Sequence, residues 1–423
     1  MTTRDVLKSS INRLLSGTVV VTVGFLINGS FAYLLQLFLG RHLSIEDFGT
    51  FNTLLSLFYL FSVPAAVLAV SVVKISSELL GENKHGELTK FFWSLSRNVV
   101  LWGSIFAALL YYFRNPLASY LNIKDPLLFL FLGFYISSTL LVVPVQSYLR
   151  GLLMFNKFAL FTTIMGILRF SIPATIVYFG YKVGGVYVGI SLSLFLSFFI
   201  ALFLLKDNFV KEKDVEVNHL YKKLMNFSVP VLLVHLGLMA LINTDVILVK
   251  KYFTEAQAGY YAGVVTLGKI ILFGVGSVAM VMFPEISALK AANKNYMKKL
   301  KFFILLQVGL LVPAVLLFTI FPKFITLLFF GEQFSNSIIY LPLFSIFISL
   351  YVLVSFLINF FLSIDKTNIF IFLPVPIVLQ IVLISLNHSS LHQVITANIV
   401  SALVLLVSLS FYLYKVSKDI THV

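Results

Sequence analysis

Residues 241–263 read LINTDVILVKKYFTEAQAGYYAG. The stretch begins inside a long apolar run, turns through Thr254-Glu255-Ala256-Gln257, and enters a second apolar run at Gly259-Tyr260-Tyr261. Asp245 is the one acid of the chain that falls deep inside such a run. An ionisable residue in a membrane span marks a candidate functional site. The turn is also one copy of a repeat. Aligning Gly259 with Gly49 sets Phe253-Thr254-Glu255-Ala256-Gln257-Ala258 against Leu43-Ser44-Ile45-Glu46-Asp47-Phe48. Without a gap, Leu57 then meets Leu267, Ser77 meets Ser287 and Leu79 meets Leu289. Ser44-x-x-Asp47 and Thr254-x-x-Gln257 read as capping boxes, a hydroxyl at the N-cap and an acceptor at N3. Gly49 and Gly259 follow in the first turns of the next helices, where a small residue lets helices approach. Helix capping and packing account for the motif better than substrate contact does, because it lies at the membrane edge.

Outward from this stretch, the 423 residues are 59% hydrophobic and 11% charged, with a mean hydropathy of +0.99. A typical soluble domain is about 25% charged, so the composition is that of a polytopic membrane protein. Twelve apolar segments each reach the roughly 20 residues needed to cross a bilayer: 14–40, 45–73, 98–120, 126–149, 158–180, 183–205, 226–252, 255–283, 301–321, 336–363, 369–387 and 393–414. The first is too long for the apolar core of a signal peptide and lacks a cleavage site. With the N-terminus inside, 22 of the 31 basic residues fall in inside segments and seven outside. That bias predicts both termini in the cytoplasm and explains the net charge of +14 without nucleic acid. The most charged stretch, KDNFVKEKDVEVNHLYKKL from Lys206, divides six spans from six. The expected organisation is a six-helix bundle over 1–206, a cytoplasmic linker over 207–224 and a second bundle over 225–423. Both copies of the motif join an odd-numbered to an even-numbered span on the outside, so the bundles are expected to be parallel repeats.

Two cations lie near mid-span. Arg169 is about 18 Å from the inner end of span five, and Lys269 about 22 Å from the inner end of span eight, at about 1.5 Å per residue. Charges at this depth usually face a bundle interior or a water-filled cavity, and one in each half suggests a cationic cavity for an anionic group. The bland alternative pairs them with carbonyls or with Asp245, or lets them snorkel. Lys74 closes span two on the inside and is a further cavity candidate, though an anchor in the basic inner loop explains it as well. Asp245 reads as an ion-pair partner of Lys269, as a ligand of a coupling ion, or as a hydrogen-bond partner near Asn243 and Thr244. Asn28, Gln36, Gln146 and Asn243 are polar candidates for the cavity wall. His388-x3-His392 has metal-ligand spacing but no nearby carboxylate, so no metal site is expected. With no cysteine, no P-loop and no nucleophile elbow, no cofactor or ATP chemistry is expected either. Prolines inside or at the ends of spans, among them Pro64, Pro144, Pro173, Pro284, Pro313, Pro342 and Pro374, supply bendable points.

Several local sequences appear in a familiar order: Gly40-Arg41-His42-Leu43-Ser44-Ile45-Glu46-Asp47-Phe48-Gly49, Gln146-x3-Arg150-Gly151 with Phe155-Asn156-Lys157, Asn243-Thr244-Asp245-Val246, Ala258-Gly259-Tyr260-Tyr261-Ala262, Met282-Phe283-Pro284 and Phe330-Gly331-Glu332. Together they resemble the polysaccharide-exporter branch of the MOP flippase superfamily, the Wzx-type flippases, over essentially the whole chain. The resemblance implies an all-α polytopic protein of about 12 transmembrane helices, two parallel six-helix bundles around a central cavity. It also implies a multi-pass transporter of the cell membrane that flips a polyprenyl-diphosphate-linked oligosaccharide to the outer leaflet by alternating access. Partners would be that lipid-linked substrate, the bilayer, and polysaccharide polymerase and glycosyltransferases. The first rival is the multidrug and toxin extrusion branch, driven by sodium or protons, which needs embedded acids for cationic cargo. One buried acid against two buried bases argues for an anionic substrate instead. The second rival is a polytopic polysaccharide-synthesis enzyme, for which the outside loops are too short to hold an active site, or an assembly partner, for which the mid-span charges would need another reason.

Overall fold

The computed structural model describes residues 3–210, 216–292 and 294–421. Lys211 and Lys213 of the charged linker lie outside the described residues, as do the side chains of Arg4, Lys8, Arg13, Lys222 and Lys223. Regular structure among the described residues is helical throughout. In chain order the α-helices are α1 (Thr3–His42), α2 (Ile45–Phe61), α3 (Val63–Gly81), α4 (His85–Tyr112), α5 (Arg114–Tyr120), α6 (Leu128–Gly151), α7 (Phe155–Tyr178), α8 (Val183–Leu205), α9 (Asn218–Tyr252), α10 (Glu255–Ala291), α11 (Met297–Ile320), α12 (Pro322–Phe330), α13 (Leu341–Ser363), α14 (Pro374–Leu386) and α15 (Leu391–Thr421). Among the described residues, twelve segments are long and apolar enough to span a membrane. Helix is the expected answer to that solvent: hydrocarbon offers no hydrogen bonds, so each span must pair its backbone groups internally.

Chain packing divides the protein into two units, Met1–Leu43 with Phe61–Val229, and Ser44–Leu60 with Pro230–Val423. In the first, α6 is central and packs against α3, α4 and α8, while α1 lies along α7. Its core holds Phe129, Tyr135, Tyr148, Phe158, Phe161 and Tyr187, each at most 1% exposed. In the second, α13 is central, between α10, α11 and α15, with Phe344, Phe347, Phe360 and Phe361 fully buried. The outward faces carry bare apolar side chains such as Phe199, Phe203, Phe273 and Met280, as lipid-facing helices should.

Two expectations need correction. The polar stretch 74–97, expected as an inner loop, is mostly helical: α3 continues to Gly81 and α4 begins at His85. Charged residues there ride on helix ends that extend the apolar spans, which is energetically easy once the chain is in water. Lys74 therefore does not close its span but stands exposed along α3. The second span, expected as one helix, is broken at Ser62 with Pro64 in the first turn of α3, because proline has no N–H to continue the ladder. Its repeat partner α10 runs unbroken for 37 residues. The described parts of the linker pack on α4. Phe209 packs at 5.1 Å from the Phe92 ring and 5.3 Å from Trp93. The Val210 N–H donates to Thr89 Oγ1 at 3.1 Å, and the Tyr221 hydroxyl meets Ser94 and Asn98 at 2.9 and 3.0 Å.

Prolines divide by role. Pro64, Pro342 and Pro374 occupy first turns, where the missing donor costs nothing. Pro144, Pro173, Pro284 and Pro313 lie inside helices.

Candidate functional site

The turn at Thr254 forms as its sequence predicts. Thr254 Oγ1 accepts from the Gln257 N–H at 3.3 Å, and Gln257 Oε1 accepts from the Thr254 N–H at 3.2 Å, closing a full capping box. At the other copy Ser44 Oγ accepts from the Asp47 N–H at 3.1 Å. The two copies also pack directly on one another within the second unit. A Cβ on Gly49 would come within 2.7 Å of Gly259 N, and one on Gly259 would strike the carbonyl oxygen of Ile45. Phe48 is fully buried, edge-on to Phe330 and Phe334 at 5.5 and 5.4 Å. Lys250, expected among the outside loop cations, is 1% exposed and donates to Thr50 Oγ1 at 3.1 Å.

Capping brings α9 and α10 side by side, and this places Tyr261 against Asp245. Asp245 is wholly buried. Its Oδ2 accepts from the Tyr261 hydroxyl at 2.5 Å and from Asn398 Nδ2 at 2.7 Å, and its Oδ1 from the Val246 N–H at 2.8 Å. Asn398 Nδ2 also reaches the Tyr261 oxygen at 3.0 Å. Gln380 Nε2 donates to Asn398 Oδ1 at 2.8 Å and to the Leu241 carbonyl at 3.0 Å. The carboxylate is thus tied through Oδ2 to α10 and α15 and, by way of Asn398, to Gln380 of α14. Asn243, grouped with it by sequence, points elsewhere: Nδ2 donates to the Met239 carbonyl at 2.8 Å, and Oδ1 is buried without a partner.

Lys269, on α10, is half-buried. It lies within Coulombic reach of Asp245, yet its ammonium sits over the Tyr59 ring, 5.1 Å from the centroid. A cation over a tyrosine face is attracted by the ring quadrupole and keeps its N–H donors available. Arg169, in the first unit, donates from Nη2 to the Tyr135 hydroxyl at 2.7 Å, while its Nε is buried without a partner. Among the described residues neither cation has a carboxylate within 4.0 Å. Of the polar wall candidates, Asn28 Oδ1 and Gln36 Oε1 are buried and unpartnered. Gln146 Nε2 meets Met165 Sδ at 3.6 Å. The His388 ring stacks on Tyr252 at 4.3 Å and His392 lies 4.7 Å from Tyr340. Among the described residues no group of three His, Cys, Asp or Glu could hold a metal.

Sequence reading missed Asn398, Gln380, Tyr59 and Tyr135. Asn398 and Gln380 carried a usable signal, since an amide inside an otherwise apolar span seeks a partner. Tyr59 and Tyr135 carried none among 19 tyrosines.

The helix arrangement and the buried charges define a multi-pass membrane protein with the fold of the MOP superfamily of transporters. The fold is similar to an inward-facing multidrug resistance MATE family transporter of that superfamily, with a TM-score of 0.74 and 12% identity over 95% of this chain and 99% of that one. It is equally similar to the lipid II flippase MurJ in an inward closed conformation, with a TM-score of 0.74 and 16% identity over 94% and 87%. A MOP superfamily transporter from Pyrococcus furiosus, whose binding pocket of reversed polarity suggests a different function, gives 0.64 and 15% over 94% and 95%. No curated protein sequence matches the chain significantly. The chain belongs to the polysaccharide biosynthesis protein family, whose profile matches residues 38–339.

Proposed function

We propose that the protein is a flippase that moves a polyprenyl-diphosphate-linked oligosaccharide, the repeat unit of a polysaccharide, to the outer leaflet of the cell membrane by alternating access. Membership of the polysaccharide biosynthesis family supports the pathway, and the MOP fold supports transport rather than catalysis. The observation that carries the substrate class is the state of the mid-span charges. Arg169 and Lys269 are held by a tyrosine hydroxyl and a tyrosine ring, so their charge is left for an anion, and a diphosphate is the anion of such a lipid. Asp245, the acid that a cation exporter would need, has both oxygens occupied by internal donors. We assign it the coupling role, with Lys269 in Coulombic reach, rather than cargo binding. Lys74, exposed on α3, has no part in this reading.

The test is replacement of each cation. Arg169→Ala and Lys269→Ala are expected to lower surface polysaccharide by about tenfold, as for loss of a hydrogen bond to a charged group, while membrane protein levels stay unchanged. Full polysaccharide from both variants would overturn the assignment.

A further inference from the structure

The first unit carries a second guanidinium, and the mid-span site does not use it. Arg150 is in the last turn of α6. Gly151 beside it is pinned against α3, where an added Cβ would strike Ser76 and lie 3.2 Å from the Val73 carbonyl. That packing fixes the direction in which Arg150 leaves the helix. Its guanidinium carbon lies 5.5 Å from the Phe25 ring centroid and 5.7 Å from that of Phe158, and the two rings meet edge-on at 5.2 Å. Arg150 Nε is buried without a partner. Among the described residues no hydrogen-bond acceptor and no carboxylate meets this side chain. The other cation of this edge is already used: Lys157 Nζ donates to the Leu204 carbonyl at 2.9 Å.

Arg150 also stands at the end of a polar line. Phe158 and Arg169 are eleven residues apart on α7, about three turns, so they share one face and lie about 16 Å apart along the axis. The face of α6 that meets it runs antiparallel. Arg150 meets Phe158, Gln146 meets Met165 at 3.6 Å, and Tyr135 meets Arg169 at 2.7 Å. Between them Asn28 of α1 abuts Gly166, with its Oδ1 buried and unpaired. Buried polar atoms are nearly always satisfied, and here Arg150 Nε, Asn28 Oδ1 and Arg169 Nε are all buried without partners. At Arg150, Phe158 is fully buried while Phe25 is 42% exposed, so this end of the line is accessible from the Phe25 side.

We propose that the point where α1, α6 and α7 meet holds a second anion site, anchored by Arg150, that takes a phosphate group carried on a lipid. Both rings lie within cation–π reach of the guanidinium and take none of its N–H donors, which are left for phosphate oxygens, the planar fork that arginine offers and lysine does not. The line to Arg169 then gives the phosphate a second cation deeper in the same unit. That the phosphate is the diphosphate of the transported lipid rests on the flippase reading; an anionic phospholipid headgroup offers the same chemistry.

The test measures retention of lipid by the purified full-length protein in nanodiscs, by native mass spectrometry, with undecaprenyl diphosphate in one arm and phosphatidylglycerol in the other. Arg150→Gln is expected to weaken binding about tenfold, the loss of a charge-assisted hydrogen bond, and Arg150→Lys is expected to restore only part of it. Loss confined to undecaprenyl diphosphate supports the site and names the transported lipid as its ligand. Equal loss in both arms supports it as a site for lipid phosphates in general. Wild-type affinity of Arg150→Gln in both arms overturns the proposal, and if Arg169→Gln weakens binding in the same experiment the flippase reading stands without it. Conversely, a wild-type protein that ignores undecaprenyl diphosphate but binds phosphatidylglycerol through Arg150 sinks the flippase reading and keeps the site. Should Arg150→Gln not fold, Phe25→Leu removes a half-exposed ring and leaves the charge; unchanged binding there overturns the proposal as well.

Discussion

Asp245 accepts three hydrogen bonds in a wholly buried setting, and this makes its neighbours a test of its role. Asn398 serves both Asp245 and Tyr261 and is itself held by Gln380. Removing Asn398 takes one donor from the carboxylate and one from the phenol at once. Asn398→Leu and Asp245→Asn should each lower the melting temperature in detergent. Their effects should not add, with a coupling of about 1–2 kcal/mol, the upper range for polar contacts between membrane helices. Strict additivity in the double-mutant cycle would mean that the contact contributes nothing. Asp245→Asn should also weaken the dependence of transport on the ion gradient, and unchanged dependence would leave the residue purely structural. Composition and spacing pointed to Asp245 because a lone acid in an apolar run is conspicuous. They could not identify its partners. Tyr261 is close only because α9 and α10 fold back on each other, and Asn398 lies 153 positions away. Lys269 shows the same limit: its depth is legible, but its resting place over Tyr59 depends on a helix from the other end of the chain.

At the scale of helices, the repeated turn is the part most fully written in the sequence. Hydroxyl, acceptor and glycine recur with the same spacing, and both copies start helices at the expected residue. The copies touching each other through their glycines is a tertiary fact that no pattern within either copy encodes. It has a measurable asymmetry. A Cβ on Gly259 strikes a backbone carbonyl, Ile45 O, and one on Gly49 meets backbone at 2.7 Å. Gly259→Ala should therefore destabilise by about 1–3 kcal/mol, the usual range for overpacking, and by more than Gly49→Ala. Alanine scanning by thermal denaturation in detergent measures both, and a tolerated Gly259→Ala would show that the crossing is loose. Helix ends were less legible than helix cores. The charged stretch after Lys74 reads as loop because charge is absent from spans, but a helix leaving the membrane can carry charge for several further turns at no solvation penalty. The break at Ser62 was equally hidden, because a proline in a membrane span is as compatible with a kink as with a fresh start.

For the whole molecule, the basic residues make a prediction about direction that the absence of cysteine makes easy to test. Fixed Lys and Arg in short loops set the orientation of a membrane protein during insertion, and 22 of 31 fall on one side of the expected topology. We infer from this that both termini and the α3–α4 turn face the cytoplasm, while the α5–α6 and α14–α15 connections face outward. A chain without native thiols reports each position separately when a single cysteine is introduced. Asn122, between α5 and α6, and Ser389, between α14 and α15, are both exposed. Lys84, between α3 and α4, is exposed and engaged by Glu82 at 2.8 Å and Glu87 at 3.7 Å, and Lys366, after α13, is exposed too. In intact cells a membrane-impermeant thiol reagent should label Asn122→Cys and Ser389→Cys, and should reach Lys84→Cys and Lys366→Cys only after the membrane is opened. The reverse pattern would invert the protein. It would place Arg150 at the outer leaflet, where a lipid phosphate could meet that site only after the flip rather than before it.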